Sequence, residues 1–152
     1  MKGEIRVLGI AVGETHEGFI VIGVVFRGGK DIDGVLSARC RTGLEETIAS
    51  MLRYSKHQGQ VRVILLDQKM LPERIDAQWL WEKTGKPVLL ISKDADVDLR
   101  FMFRHRGAVF IAAGIDEESA KRVLDRVYCE SQTEVLRIAG IILESIVKLH
   151  NL

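Results

Sequence analysis

Short runs of branched apolar residues alternate along this chain with stretches whose apolar residues recur at helical spacing. Residues 6–12 (RVLGIAV) and 19–26 (FIVIGVVF) flank Gly13-Glu14-Thr15-His16-Glu17-Gly18, the pattern of two strands joined by a glycine-bounded loop. Arg27-Gly28-Gly29-Lys30 supplies a second turn and residues 34–40 return as a third strand, which predicts an antiparallel meander. Thr42-Gly43-Leu44-Glu45 has capping-box spacing, and Leu44, Ile48, Met51 and Leu52 then share one helical face. Val61 to Leu66 is almost continuously apolar, as expected of a strand buried on both faces, and it ends at Asp67.

The second half continues the alternation. A helix over 75–84 stops at Gly85 and Pro87, and strands are expected over 88–91 and 108–113. Asp116 opens a helix with Ala120, Val123, Leu124 and Val127 inward, and the capping box Ser131-Gln132-Thr133-Glu134 opens the last helix, with Leu136, Ala139, Ile142, Leu143 and Ile146. A meander leading through a helix into alternating strands and helices is the order of a ribonuclease H-like fold: α/β, three layers, with a mixed central sheet. No proline-rich linker, repeat or low-complexity stretch divides residues 1–152, which predicts one domain.

Composition narrows the function classes. Twenty-two basic residues against 21 acidic ones give a net charge of +1, so any polyanionic partner must be held by a local patch. The apolar runs fall short of the roughly 20 residues a bilayer requires, and Met1 to Arg6 lacks the apolar segment of a secretory signal. Cys40 and Cys129 form no disulfide framework and no CxxC zinc spacing. The expectation is a cytoplasmic protein without a membrane partner.

Asp67 is the strongest single candidate for chemistry, because strand ends of open α/β sheets line ligand crevices; capping the following turn is the competing role. Arg27 to Lys30 offers two cations and backbone amides to a phosphate, or is simply a glycine turn. Arg100-Phe101-Met102-Phe103-Arg104-His105-Arg106 interleaves aromatics with cations, a composition suited to stacking bases and neutralising phosphates, unless Phe101 and Phe103 are core residues. Lys56 and His57 can add a phosphate contact at a helix end. Glu14, His16 and Glu17 have the donor types of a Mn²⁺ or Zn²⁺ site but fall in a loop. Trp79 and Trp81, two apart on a helix, cannot share a face, so exposed aromatic surface there, with the closing helix, is a candidate homodimer contact.

Several blocks in this order, Arg6-Val7-Leu8-Gly9-Ile10, Val24 to Gly29, Asp33-Gly34-Val35-Leu36-Ser37, Ser55-Lys56-His57 and Val63-Ile64-Leu65-Leu66-Asp67, resemble the signature of a mainly archaeal family. That family is domain-of-unknown-function family 99, also called endonuclease dU and regarded as a relative of endonuclease V with the ribonuclease H-like fold. The resemblance implies Mg²⁺- or Mn²⁺-dependent cleavage of DNA, with Asp67 as catalytic and metal-binding carboxylate; residue chemistry supplies Arg27, Lys30, Lys56, His57, Arg100, Arg104 and Arg106 as the candidate nucleic-acid-binding set. Members usually carry acidic residues directly after the Leu-Gly-Ile of the first strand and a glycine after the strand-ending aspartate; this chain has Ala11, Val12 and Gln68. The expectation is therefore an endonuclease V-like protein with a degenerate metal site, weak Mg²⁺ or Mn²⁺ binding and residual DNA binding. The alternative is a non-catalytic homo-oligomeric interaction module that keeps the fold.

Overall fold

The computed structural model describes residues 4–28, 31–92, 102–129 and 132–150. Three long strands come first, β1 (Arg6–Thr15), β2 (Gly18–Arg27) and β3 (Asp31–Cys40), followed by α1 (Leu44–Arg53) and β4 (Val61–Asp67). Then come α2 (Ala77–Thr84), β5 (Val88–Ile91), the hairpin β6 (Met102–His105) and β7 (Ala108–Ala113), α3 (Glu117–Val127), the two-residue pair β8 (Tyr128–Cys129) and β9 (Gln132–Thr133), and α4 (Glu134–His150).

Seven strands form one sheet in the order β3-β2-β1-β4-β5-β7-β6. The meander pairs antiparallel, β1, β4 and β5 run parallel, and β7 returns antiparallel to β5. The central strands are apolar on both faces because helices cover both. On one face Leu8, Ile10, Val21, Val25, Ile64 and Leu66 pack with Leu44, Ile48 and Leu52 of α1 and Leu80 of α2. On the other, Val7, Ala11, Ile22, Phe26, Val63 and Leu65 pack with Leu124 of α3 and Val135, Leu136 and Ala139 of α4.

Four local expectations are corrected. β1 and β2 run on until only His16 and Glu17 separate them, so Glu14 is a strand residue. Cross-strand pairing extends the ladder through polar residues that carry no hydrophobic signal. The first capping box does not form: the N-cap of α1 is Gly43 in the left-handed region at φ 71°, with no side-chain cap, and Thr47 Oγ1 donates to its carbonyl at 2.9 Å. Thr133 pairs with Tyr128 in β9 instead of serving the second box, and α4 begins at Glu134. The segment 102–105 is an edge strand, β6, where sequence spacing gave no strand.

Edge strand β3 is anchored by charge. A register shift opposite Val25 and Phe26 leaves Asp33 without a ladder partner, and its carboxylate accepts from Arg6 Nε at 2.7 Å and Arg27 Nε at 3.1 Å. The Arg6 hydrogen bond, aided by the Arg27 charge, holds the Asp33 carboxyl below its usual range. Ser119 does the same for Asp116 at the head of α3, and Arg106 with His105 for Asp125. A carboxyl with a lowered folded pKa contributes stability that is present above its unfolded value and lost as pH falls through the folded one. Thermal melting should therefore weaken below about pH 4, the unfolded range of aspartate, and Asp33→Asn should flatten that acid slope. A variant with the wild-type slope would show that the bulged carboxylate does not anchor the edge.

Candidate active site at the carboxyl end of β4

Buried strand β4 delivers Asp67 to the end of the sheet, where the side chain is half-buried. Its backbone is still extended, and one carboxylate oxygen accepts the Lys69 amide at 3.0 Å, capping a 3-10 turn over Gln68–Met70. The capping role weighed from the sequence is thus real, and it engages one of the two oxygens a ligand would need.

The neighbouring strand decides what stands beside this carboxylate. The parallel ladder between β1 and β4 runs to Ile10 opposite Leu66, so Ala11 and Asp67 are the next residues of adjacent strands. Ala11 is fully buried on the α4 face. On the same side of β1, two residues to either side, lie Gly9 and Gly13, and both admit α4 closely. A Cβ on Gly9 would meet Val135 Cγ2 at 2.7 Å, and one on Gly13 would meet Leu143 Cδ1 at 3.0 Å and Val147 Cγ2 at 3.1 Å. Helix α4 therefore lies along a row of minimal side chains, with Ala11 beneath it. It also reaches the turn after Asp67, since Gly140 faces the end of the Met70 side chain. Val12 points to the opposite layer, into the core under α1 and α2. Residues 11 and 12 lie on opposite faces, so at most one can share a site with Asp67. Among the described residues, no three His, Cys, Asp or Glu side chains are grouped to hold a metal ion.

Tyr128, which the sequence reading passed over, completes the surroundings. Burial pushes its phenol above the usual range, the Arg106 charge opposes that shift, and the Asp67 charge adds to it. Arg106 lies over the ring at 5.1 Å while its Nε donates to Asp125 at 2.8 Å, and His105 Nε2 contacts the same carboxylate oxygen at 2.7 Å. Arg106 holds this position from the turn of the β6–β7 hairpin with φ 50°, a left-handed conformation few non-glycine residues adopt. Tyr128 follows an amphipathic helix in the sequence, and its place beside Arg106 emerges only in the fold.

The nucleic-acid candidates are dispersed. Phe103 is a core residue stacked on Phe110 with ring centroids 5.5 Å apart, so its face is not offered to bases. Arg104 is exposed on β6, Arg27 is engaged by Asp33, and Lys56 is exposed after α1. His57 is buried, its ring filling the space that a Cβ on Gly34 would need; the Ser55-Lys56-His57 and Asp33-Gly34 blocks thus meet in space. Lys30, Arg100 and Phe101 lie outside the described residues. Glu17 pairs with His150 of α4 at 2.8 Å, and His16 stands 5.9 Å from the His150 ring. Trp79 and Trp81 are both half-buried; Trp81 fills the space beside Gly114, and Lys83 lies over Trp79.

Residues 3–104 match the endonuclease dU family. The chain belongs to that family. A UPF0215 protein of Methanopyrus kandleri is 44% identical over 101 residues, covering 61% of this chain and 51% of its own length. Another, from Methanothermobacter thermautotrophicus, is 34% identical over 134 residues, covering 81% and 66%. The chain spans about half the length of the Methanosarcina and Methanopyrus relatives it matches. Among solved structures, a protein of unknown function from Archaeoglobus fulgidus superposes with a TM-score of 0.80 at 19% identity, over 95% of this chain and 99% of that one. Endonuclease V of Bacillus subtilis gives 0.70 at 12%, over 99% and 83%. Endonuclease V of Ciona intestinalis, solved with a 24-mer DNA containing an inosine followed by a ribo-adenosine, gives 0.64 at 11%, over 97% and 87%. This member of the family therefore has the ribonuclease H-like fold of endonuclease V, as the strand order predicts. Among the described residues no helix is long and apolar enough to cross a membrane.

Proposed function

We propose that this chain is an endonuclease V-like nucleic-acid-binding protein whose divalent-metal site is degenerate. One observation supports this above the others: the residue beside Asp67 on the adjacent strand is Ala11, fully buried on the face that α4 covers. Phosphodiester hydrolysis in metal-dependent nucleases relies on several carboxylates sharing the charge of one or two ions. Asp67 already accepts a backbone amide, and among the described residues no further carboxylates are grouped with it, which does not fit that demand. DNA, which the Ciona neighbour holds, is the ligand class the fold favours. Binding then rests on exposed cations such as Lys56 and Arg104, with Arg27 and Arg106 engaged by Asp33 and Asp125. Lys30 and Arg100 complete the proposed set.

Calorimetry with Mn²⁺ tests the site. The expected result is no saturation below about 1 mM, a binding free energy weaker than about −4 kcal/mol, and no cleavage of a DNA duplex in Mn²⁺. Micromolar binding and cleavage, both abolished by Asp67→Asn, would overturn the degenerate reading.

One observation favours the interaction-module reading. Ten-residue β3 forms a sheet edge, and Ile32 and Val35 on it are about half exposed, beside a Tyr54 that is 81% exposed. Such an edge is a template for another strand. This contact differs from the one expected at Trp79 and Trp81, and sedimentation at tens of micromolar distinguishes a monomer from a β3-paired dimer.

A further inference from the structure

A second basic site lies away from Asp67 along the same end of the sheet. β3 runs in the same direction as β1 and β4, so its carboxyl end lies toward the sheet end that carries Asp67. There a cavity of about 300 Å³ opens between the β1–β2 turn, the end of β3 and the end of α4, with Arg39, Arg41, Glu17 and His150 among its lining residues. Arg39 stands opposite Ile20, on the α4 side of the sheet. Both arginines are exposed, and among the described residues neither has a carboxylate within ion-pair distance. The nearby carboxylate of Glu17 is already paired with His150.

The turn is shaped around this pair. Gly18 adopts φ +129°, and a Cβ there would meet the Cys40 carbonyl oxygen at 2.5 Å and the Arg41 Cα and Cγ at 3.1 and 3.3 Å. The absent side chain lets the hairpin seat against the root of Arg41, which fixes where that side chain leaves the backbone. Two guanidiniums that have no acidic partner among the described residues line one concavity and present the forked donors that match phosphoryl oxygens.

We infer that Arg39 and Arg41 bind a phosphoryl group in this pocket, supplied by a nucleic-acid backbone. The inference rests on the nucleic-acid reading above and adds to it a contact outside the Lys56 and Arg104 set. A free phosphate or phosphomonoester has the same chemistry, so the test separates the sources.

Inorganic phosphate is titrated while the arginine Nε–Hε resonances are followed, with exposed Arg126 of α3 as the internal reference. Saturable shifts at Arg39 and Arg41 but not at Arg126 are expected; equal shifts at all three, or none, overturn the site. In parallel, duplex DNA affinity is measured against salt. Each lost phosphate contact lowers the log–log slope by about 0.9, so the double variant Arg39→Ala, Arg41→Ala should lower it by about 1.8. The variant Arg39→Lys, Arg41→Lys, which keeps both charges, should restore most of that slope and controls for misfolding. Phosphate shifts with an unchanged DNA slope would overturn the backbone source and leave a free-anion pocket. Phosphate shifts in a protein that binds no DNA would sink the nucleic-acid reading while the pocket stands.

Discussion

Replacing Ala11 by aspartate will destabilise the protein by about 3 to 5 kcal/mol at neutral pH, the range for an uncompensated buried charge. Ala11 has no exposed surface and lies under α4, between two glycines that admit Val135, Leu143 and Val147. The apolar side chains of Val135, Leu136 and Ala139 of α4 belong to the same packed layer as Ala11. Burial would raise the new carboxyl above its unfolded pKa, so the folded state would hold the proton more tightly than the unfolded one. The sign follows: the deficit is smallest below the unfolded value near 3.9, grows by about 1.4 kcal/mol per pH unit up to the folded value, and is constant above it. Thermal melts from pH 4 to pH 8 read this directly.

The same variant tests the proposed degeneracy of the metal site. The introduced carboxylate would stand next to Asp67 on the adjoining strand, so Mn²⁺ bridging the two would return stability according to its concentration over its dissociation constant. Val12→Asp places its carboxylate in the opposite layer and should be destabilised without a Mn²⁺ response. An Ala11→Asp protein that melts with wild type at pH 8 would mean that water reaches position 11 and that α4 does not seal it.

Much of this arrangement is legible in the sequence, and the parts that are not have physical reasons. Val63 to Leu66 reads as a two-sided buried strand because both faces of β4 are covered, and that run places Asp67 at the sheet end. β1 and β2 are readable for the same reason. What composition cannot assign is a face: Phe103 and Arg104 are adjacent in the sequence, yet one stacks on Phe110 in the core and the other meets water. His57 reads as a polar helix end, whereas a glycine 23 residues earlier in the chain opens the space that buries it. Ala11 and Val12 are likewise adjacent in the sequence, yet strand alternation sends them to different layers. The spacing Gly9-x-Ala11-x-Gly13 acquires meaning only once α4, more than 120 residues later, is seen lying across it.

A double-mutant cycle at that crossing measures the packing on which the functional reading depends. Gly9→Ala puts a methyl 2.7 Å from Val135 Cγ2, closer than carbon atoms tolerate, and the neighbouring Val135 backbone limits how far α4 can yield. Overpacking of this kind costs about 1 to 3 kcal/mol. Val135→Ala alone removes two fully buried methyl groups and leaves a small cavity, at a cost of about 2 kcal/mol. Combined, the alanine at 9 occupies the space that the valine vacates, so the double variant should be more stable than the sum of the singles by about 1 to 2 kcal/mol, within the range for residues in contact. Denaturant melts of the four proteins give the coupling. Additive losses would mean that α4 does not rest on β1 at Gly9; the cover over Ala11 would then be unsupported, and with it the argument that no carboxylate can join Asp67 from the first strand.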